Sequence, residues 1–139
     1  MHSMDGATIT GEHWRQLADA ARVASAHAYC RYSAFRVGAA VLSSTGAIAR
    51  GCNVENASFG LTICAERNAI FRAIADGADR IAALVLYTPT PAPATPCGAC
   101  RQVLAEFGND LLPIRCFCDG PDVAMFTLGS LLPHRFALE

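Results

Sequence analysis

The chain has 139 residues, 53% of them apolar, a formal net charge of −1 and no lysine. That length suits one compact domain and is too short for two, so residues 1–139 are read as a single domain. The balanced charge lacks the basic excess that phosphate contacts require, which points away from nucleic acid and toward a small neutral molecule; without lysine, Schiff-base chemistry on an amine side chain is excluded. No apolar run reaches the roughly 18 residues of a membrane span, and no charged n-region precedes an apolar stretch at the N-terminus. A cytoplasmic location is therefore expected. There, seven cysteines serve as ligands, catalytic groups or buried small hydrophobes rather than as disulfides. A domain this small leaves apolar surface uncovered, so self-association is expected too.

Residues 1–9 read as a loose N-terminal arm. Thr10 is placed to cap a helix over about 11–28, with Glu12 in its first turn and Trp14, Leu17, Ala18, Ala21, Ala24 and Ala28 at helical spacing. Two apolar runs, 36–43 and 47–54, flank Ser44-Thr45-Gly46 and predict a β-hairpin. A second helix is predicted over 62–76, closed by Gly77; it is apolar nearly all round, which predicts burial. Residues 81–88 form a continuous apolar run of central-strand length, and 89–96 are a proline-rich loop. A third helix follows over 97–107, with Thr95 as N-cap and Pro96 as its first residue. Short strands over 113–118 and 123–126 flank an Asp119-Gly120-Pro121 turn, and 127–132 form a last helical turn. Strands alternating with helices after the hairpin give an α/β class with a sheet covered on its faces.

Three short stretches carry chemistry: Cys64-Ala65-Glu66, Pro96-Cys97-Gly98-Ala99-Cys100 and Asn53-Val54-Glu55-Asn56. A lone CxxC suits half a structural zinc site or a redox pair equally well. With Cys64 added, three thiols stand near the N-terminal ends of two predicted helices, where the dipole and free N–H groups favour thiolates. Zinc takes such ligands in a tetrahedron; catalytic sites supply three from the protein and leave one corner for water. Cys64 and Glu66, two apart, do not share a helix face. Because side chains tilt toward the N-terminus, both can still approach a metal lying beyond the helix end. Three thiolates outweigh one Zn²⁺ in charge, so positive compensation is needed. Arg67 is a candidate for it alongside the two helix N-termini, although spacing alone suits an ordinary surface ion pair for Arg67 equally well. Asn53 and Glu55 project to one face at a strand end.

This arrangement resembles the zinc-dependent nucleoside and nucleotide deaminases, and is most similar to the small cytidine deaminases of nucleoside salvage. The resemblance runs from Tyr32 to Phe136. It rests on residues 32–40, Asn53 through Ser58, Cys64-Ala65-Glu66-Arg67, Pro96 through Gln102, and Leu131-Leu132-Pro133 with Phe136. Cys64, in place of the His typical of nucleotide, tRNA and free-cytosine deaminases, points to the nucleoside branch. The resemblance implies a three-layer α-β-α fold with a mixed sheet of about five strands. It also implies one Zn²⁺ per chain on Cys64, Cys97 and Cys100, with Glu66 shuttling protons from the activated water to N3 and the departing amine of cytidine or deoxycytidine. Phe35, Asn53, Glu55, Ala65 and Phe136 are implied to contact the substrate. A homotetramer is implied, with Ala57, Phe59 and Phe136 shared between subunits. Phe59 stands where relatives often carry Tyr, and Arg31 where many carry Pro.

Cys30, Cys52, Cys116 and Cys118 are expected to be buried small hydrophobes, and His13, His27 and His134 surface or helix-end residues. Three competing readings stay open. A deaminase of another cytosine nucleoside, of the blasticidin type, shares the zinc motifs. A structural zinc module binding a protein partner needs a fourth ligand such as Cys116 and gives Glu66 no task. A CxxC redox protein leaves Cys64 idle.

Overall fold

The structure, a computed structural model, describes residues 9–138. The arm expected over 1–9 thus lies outside the described residues except for Ile9, which packs beneath the first helix. That helix, α1 (Gly11–Ser25), starts where Thr10 predicts: Thr10 Oγ1 accepts from His13 N while Thr10 N donates to His13 Nδ1. His13 thereby closes a reciprocal cap of the kind usually built with Glu or Gln. The helix ends three residues before the expected boundary. Ala26, His27 and Ala28 donate to carbonyls three residues back, tightening the last turn. Arg36 Nη1 takes up the carbonyls of Ala26 and Ala28, each at 3.2 Å, which satisfies acceptors a helix end leaves open.

The hairpin forms as β1 (Gly38–Ser43) and β2 (Ile48–Cys52); then follow α2 (Ala65–Ala75), β3 (Ile81–Tyr87), α3 (Gly98–Phe107), β4 (Pro113–Phe117), β5 (Ala124–Thr127) and α4 (Leu128–Leu131). The strands make one sheet in the order β2-β1-β3-β4-β5, with β3 and β4 parallel and every other pair antiparallel. The mixed five-stranded sheet of the sequence reading is what the chain builds.

Alternation along the strands sorts the core into two layers. Ala40, Leu42, Ala83, Val85 and Tyr87 pack against Trp14, Leu17 and Ala21 of α1. Ala39, Val41, Leu84, Leu86 and Ile114 face Ala65, Ala69 and Ile70 of α2, Leu104 of α3 and Leu128 of α4. The sheet is therefore sandwiched, and β1 is buried on both faces, as a continuous apolar run requires. Gly51 marks the closest approach of helix to sheet. A methyl there would lie 2.5 Å from Ala69 N and 2.8 Å from Ala65 O, so only glycine lets α2 settle onto β2.

Two helix expectations need correction. The segment before α2 is not helical: 59–61 form a 3₁₀ turn, Ile63 bridges Val54, and α2 begins at Ala65 with Cys64 as N-cap. Nor is α2 buried all round; it buries Ala65, Glu66, Ala69, Ile70 and Ala73 but leaves Phe71 46% exposed. In α3 the N-cap is Cys97, not Thr95, and Pro96 precedes the helix.

Register then fixes where chemistry can occur. Gly38, at the start of β1, pairs with Cys52 at the end of β2 and with Tyr87 at the end of β3. The carboxyl ends of β2 and β3 therefore flank the start of β1 at the same edge of the sheet, and the chain leaving each one leads into the N-terminus of α2 or α3. The crevice outside such strand ends is the usual ligand position in open α/β sheets.

Candidate active site

Cys64 and Cys97 are both N-caps, in extended conformations that turn their side chains past the helix ends; Cys100 sits one turn into α3. The Sγ atoms of Cys64, Cys97 and Cys100 lie within 4.8 Å of one another, 3.9 Å between Cys64 and Cys97 and 3.4 Å between Cys97 and Cys100. Sulfurs sharing a tetrahedral zinc at about 2.3 Å stand about 3.8 Å apart, so the trio fits that ion with little movement. Cys116 is outside the cluster, and among the described residues these three cysteines are the only such group.

The trio is electrostatically prepared for a cation. Hydrogen bonds from the Cys100 thiol and then from the Arg67 guanidinium hold the Cys64 thiol down to about 5, although burial opposes them. The same bond to Cys64 pushes the Cys100 thiol up. Arg67 Nη2 donates to Cys64 Sγ at 3.3 Å, and Arg67 Nε is buried without a hydrogen-bond partner. Its cation thus faces the sulfurs, and among the described residues no ion pair to an acid is seen for it.

Glu66, only 4% exposed, is the second residue of α2. Desolvation by burial raises its carboxyl above the ordinary range, and the neighbouring Cys64 charge adds to this, which moves it toward the range useful for proton transfer at neutral pH. Glu66, Cys64 and Cys97 line one cavity of about 270 Å³ together with Ala65, Phe35, Asn53 and Glu55. Seven of the sequence-selected residues therefore converge on one space.

Asn53 and Glu55 have a second task there. Asn53 Oδ1 accepts from Val37 N at 2.9 Å and its Nδ2 donates to Phe35 O at 2.8 Å. Glu55 Oε1 accepts from the N–H groups of Tyr32 and Ser33 at 3.0 and 3.1 Å, and Oε2 accepts from the Ser33 hydroxyl. That hydroxyl holds the Glu55 carboxyl below its usual range, keeping it ionised.

Phe136, Ala57 and Phe59 do not line this cavity. Phe136 is 70% exposed on the far side of α3, its carbonyl held by Gln102 Nε2. Phe59, 75% exposed, walls an adjoining hollow with Tyr32, and Ala57 is exposed. Of the other cysteines, Cys30, Cys116 and Cys118 are buried as expected, whereas Cys52 is only half-buried.

A sequence model of the cytidine and deoxycytidylate deaminase zinc-binding region matches residues 12–115. The chain belongs to this family. It is 46% identical to a cytidine deaminase of Sporosarcina psychrophila over 81% of this chain and 82% of that one. It is 44% identical to one of Mycobacterium tuberculosis over 91% of each. The crystal structure of cytidine deaminase from Burkholderia pseudomallei superposes with a TM-score of 0.84 at 43% identity, covering 92% of this chain and all of that one. The family is one of zinc-dependent hydrolases, and the Cys64, Cys97 and Cys100 cluster fits one zinc per chain.

Within the deaminase frame, three supporting residues escaped the sequence reading. Asn68 Nδ2 donates to Cys52 O at 2.8 Å, tying α2 to the end of β2. Arg101 Nε donates to Pro96 O at 2.8 Å and Nη1 to Leu131 O at 3.0 Å, fixing the peptide just before Cys97. Ser33 holds Glu55. Asn68 could have been suspected as an amide in an otherwise apolar helix stretch, and Arg101 from its place beside Cys100; Ser33 gave no such signal.

Proposed function

We propose that this chain hydrolyses the exocyclic amino group of cytidine and deoxycytidine, releasing ammonia and the uracil nucleoside, in pyrimidine salvage. The observation that carries the reading is one cavity lined by two thiols of a three-thiol cluster, one buried carboxylate and a sugar-type amide and carboxylate pair. Zinc, when bound by Cys64, Cys97 and Cys100, supplies a Lewis acid that makes water nucleophilic at neutral pH. Glu66 takes a proton from the attacking water and delivers it to ring N3, then takes the proton of the new C4 hydroxyl and delivers it to the leaving amine as the C4–N bond breaks and the C4 carbonyl forms. Its raised pKa suits both directions of transfer. Phe35 packs against the substrate, and Arg67 offsets the charge of the thiolates.

The hydrogen-bond inventory sharpens the sugar contact. A carboxylate offers about four acceptor places, and Glu55 has committed three of them to Tyr32 and Ser33. Asn53 keeps one N–H after serving Phe35 and one lone pair on Oδ1 after accepting from Val37 N. Glu55, the charged member of the pair, has one acceptor place left, enough for a single hydroxyl. Ribose and 2′-deoxyribose share the 3′-hydroxyl on that ring edge, so cytidine and deoxycytidine are expected to react with kcat/KM within about threefold. Losing one charge-assisted bond lowers 3′-deoxycytidine by about 10- to 100-fold. Ultraviolet assays with the three nucleosides check this; a 3′-deoxy substrate as good as cytidine overturns it.

We infer further that the enzyme works in the cytoplasm as a homotetramer. All seven cysteines are free, as a reducing compartment keeps them. Phe136 and Phe59 are exposed large apolar side chains outside their own chain's cavity, suited to cover a neighbour's site. Light scattering on the purified protein is expected to give four times the chain mass, and a monomer overturns the assembly.

A further inference from the structure

Residues 29–37 wrap around Asn53 and Glu55. Tyr29 N donates to Asn53 O, and Glu55 N donates back to Tyr29 O; Val37 N, Phe35 O, Tyr32 N and Ser33 N all bind the two side chains. The turn at the centre is strained. Ala34 has φ +57°, the left-handed region that a residue with a Cβ avoids. Its N–H is spent on Cys30 O at 2.7 Å, and Ser33 Oγ accepts from Phe35 N at 3.0 Å. Such a conformation persists only where the surroundings over-determine it. Here they also fix the Ser33 hydroxyl. Its oxygen faces Phe35 N–H, and its one hydrogen goes to Glu55 Oε2, the carboxylate oxygen that no backbone N–H occupies.

We propose that Ser33 is a specificity-determining residue, because its hydroxyl fills one of the two acceptor places on Glu55 Oε2 and so limits Glu55 to reading one sugar hydroxyl. This rests on the reading of Glu55 as the sugar contact. Ser33 itself makes no chemical change; it sets how many donors the carboxylate can still accept. With the hydroxyl removed, Oε2 has room for both members of a cis-diol, and the enzyme gains a preference for ribose.

The test compares kcat and KM for cytidine, deoxycytidine and 3′-deoxycytidine in wild type, Ser33→Ala, Ser33→Thr and Glu55→Ala. In Ser33→Ala the cytidine to deoxycytidine ratio of kcat/KM is expected to rise about tenfold, the effect of one added charge-assisted bond, through KM rather than kcat. Ser33→Thr, which keeps a hydroxyl, is expected to keep the wild-type ratio. Ser33→Gly removes the same hydroxyl and repeats the test if the alanine variant is insoluble; one zinc per chain in each variant confirms an intact site. If removing the hydroxyl weakens both nucleosides equally, or leaves the ratio unchanged, Ser33 only holds the loop and the proposal falls. The Glu55→Ala arm, which removes the acceptor, separates that failure from a deeper one. If the penalty for 3′-deoxycytidine survives in Glu55→Ala, Glu55 does not read the sugar, and the underlying reading falls with it. If the penalty vanishes there while the Ser33→Ala ratio stays at the wild-type value, only the role of Ser33 is lost.

Discussion

Replacing Glu66 by Gln is expected to keep one zinc per chain and to lower kcat by about 10⁴-fold, the upper end for loss of a general acid–base group. The upper end applies because the same carboxylate is asked to accept and deliver a proton twice, from water to N3 and from the C4 hydroxyl to the leaving amine. Gln matches the shape and keeps a carbonyl acceptor, but cannot exchange a proton. Zinc content should be unaffected, since the thiol cluster is complete without Glu66. Stability supplies an independent readout. Burial raises the Glu66 pKa, so the charged form costs the folded chain; that cost is full above the raised pKa and absent below the ordinary carboxylate range. Gln carries none of it. At neutral pH, with zinc removed from both proteins, the Tm of the variant is expected to equal or exceed that of the parent, the usual trade between a poised site and stability. Metal analysis, an ultraviolet turnover assay and a melting curve check the three parts. A variant that turns over normally removes Glu66 from the mechanism.

The site was legible in the sequence because its chemistry is local in the chain. Cys97 and Cys100 are three apart, Cys64 and Glu66 two apart, Asn53 and Glu55 two apart, and all fall next to predicted strand ends or helix starts. Hydrophobic period alone recovered the strands and helices, since β1 and β3 are buried on both faces and α1 carries a regular apolar stripe. The start of α1 was legible from Thr10, but the starts of α2 and α3 were not. A cysteine N-cap gives no cap signal of its own, so the second helix reads from Thr62, three residues early, and the third takes Thr95 as its cap, two residues early. The caps are Cys97 and Cys64, and that shift dissolves the apparent difficulty of Cys64 and Glu66 on opposed faces. Long-range polar ties were likewise invisible. Nothing near Ser33 indicates that its partner is Glu55, 22 residues away. Gly51 reads as an ordinary strand glycine until α2 is seen lying on it.

Cys100→Ala is expected to abolish zinc binding and reduce turnover to background, although Cys100 is the ligand that looks least ready to bind. Cys100 is 1% exposed, and the Cys64 sulfur beside it together with burial pushes its thiol up while the Cys64 thiol is held down. A divalent cation reverses that order, because a thiol that ligates zinc does so as thiolate and metal binding releases protons. Two remaining thiols cannot hold a site whose catalytic form already leaves one corner to water. Chelation removes the same ion by another route, so the two losses should coincide. If the cluster holds zinc at about 1,000 times its dissociation constant, linkage contributes about 4 kcal/mol to the loaded protein, roughly 10 °C or more in Tm for a chain of this size. Wild type in excess chelator should fall by that amount, and the Cys100→Ala variant should melt near the same temperature whether or not zinc is added. A variant that still carries one zinc per chain, or wild type whose Tm ignores the chelator, shows that the ion is held elsewhere.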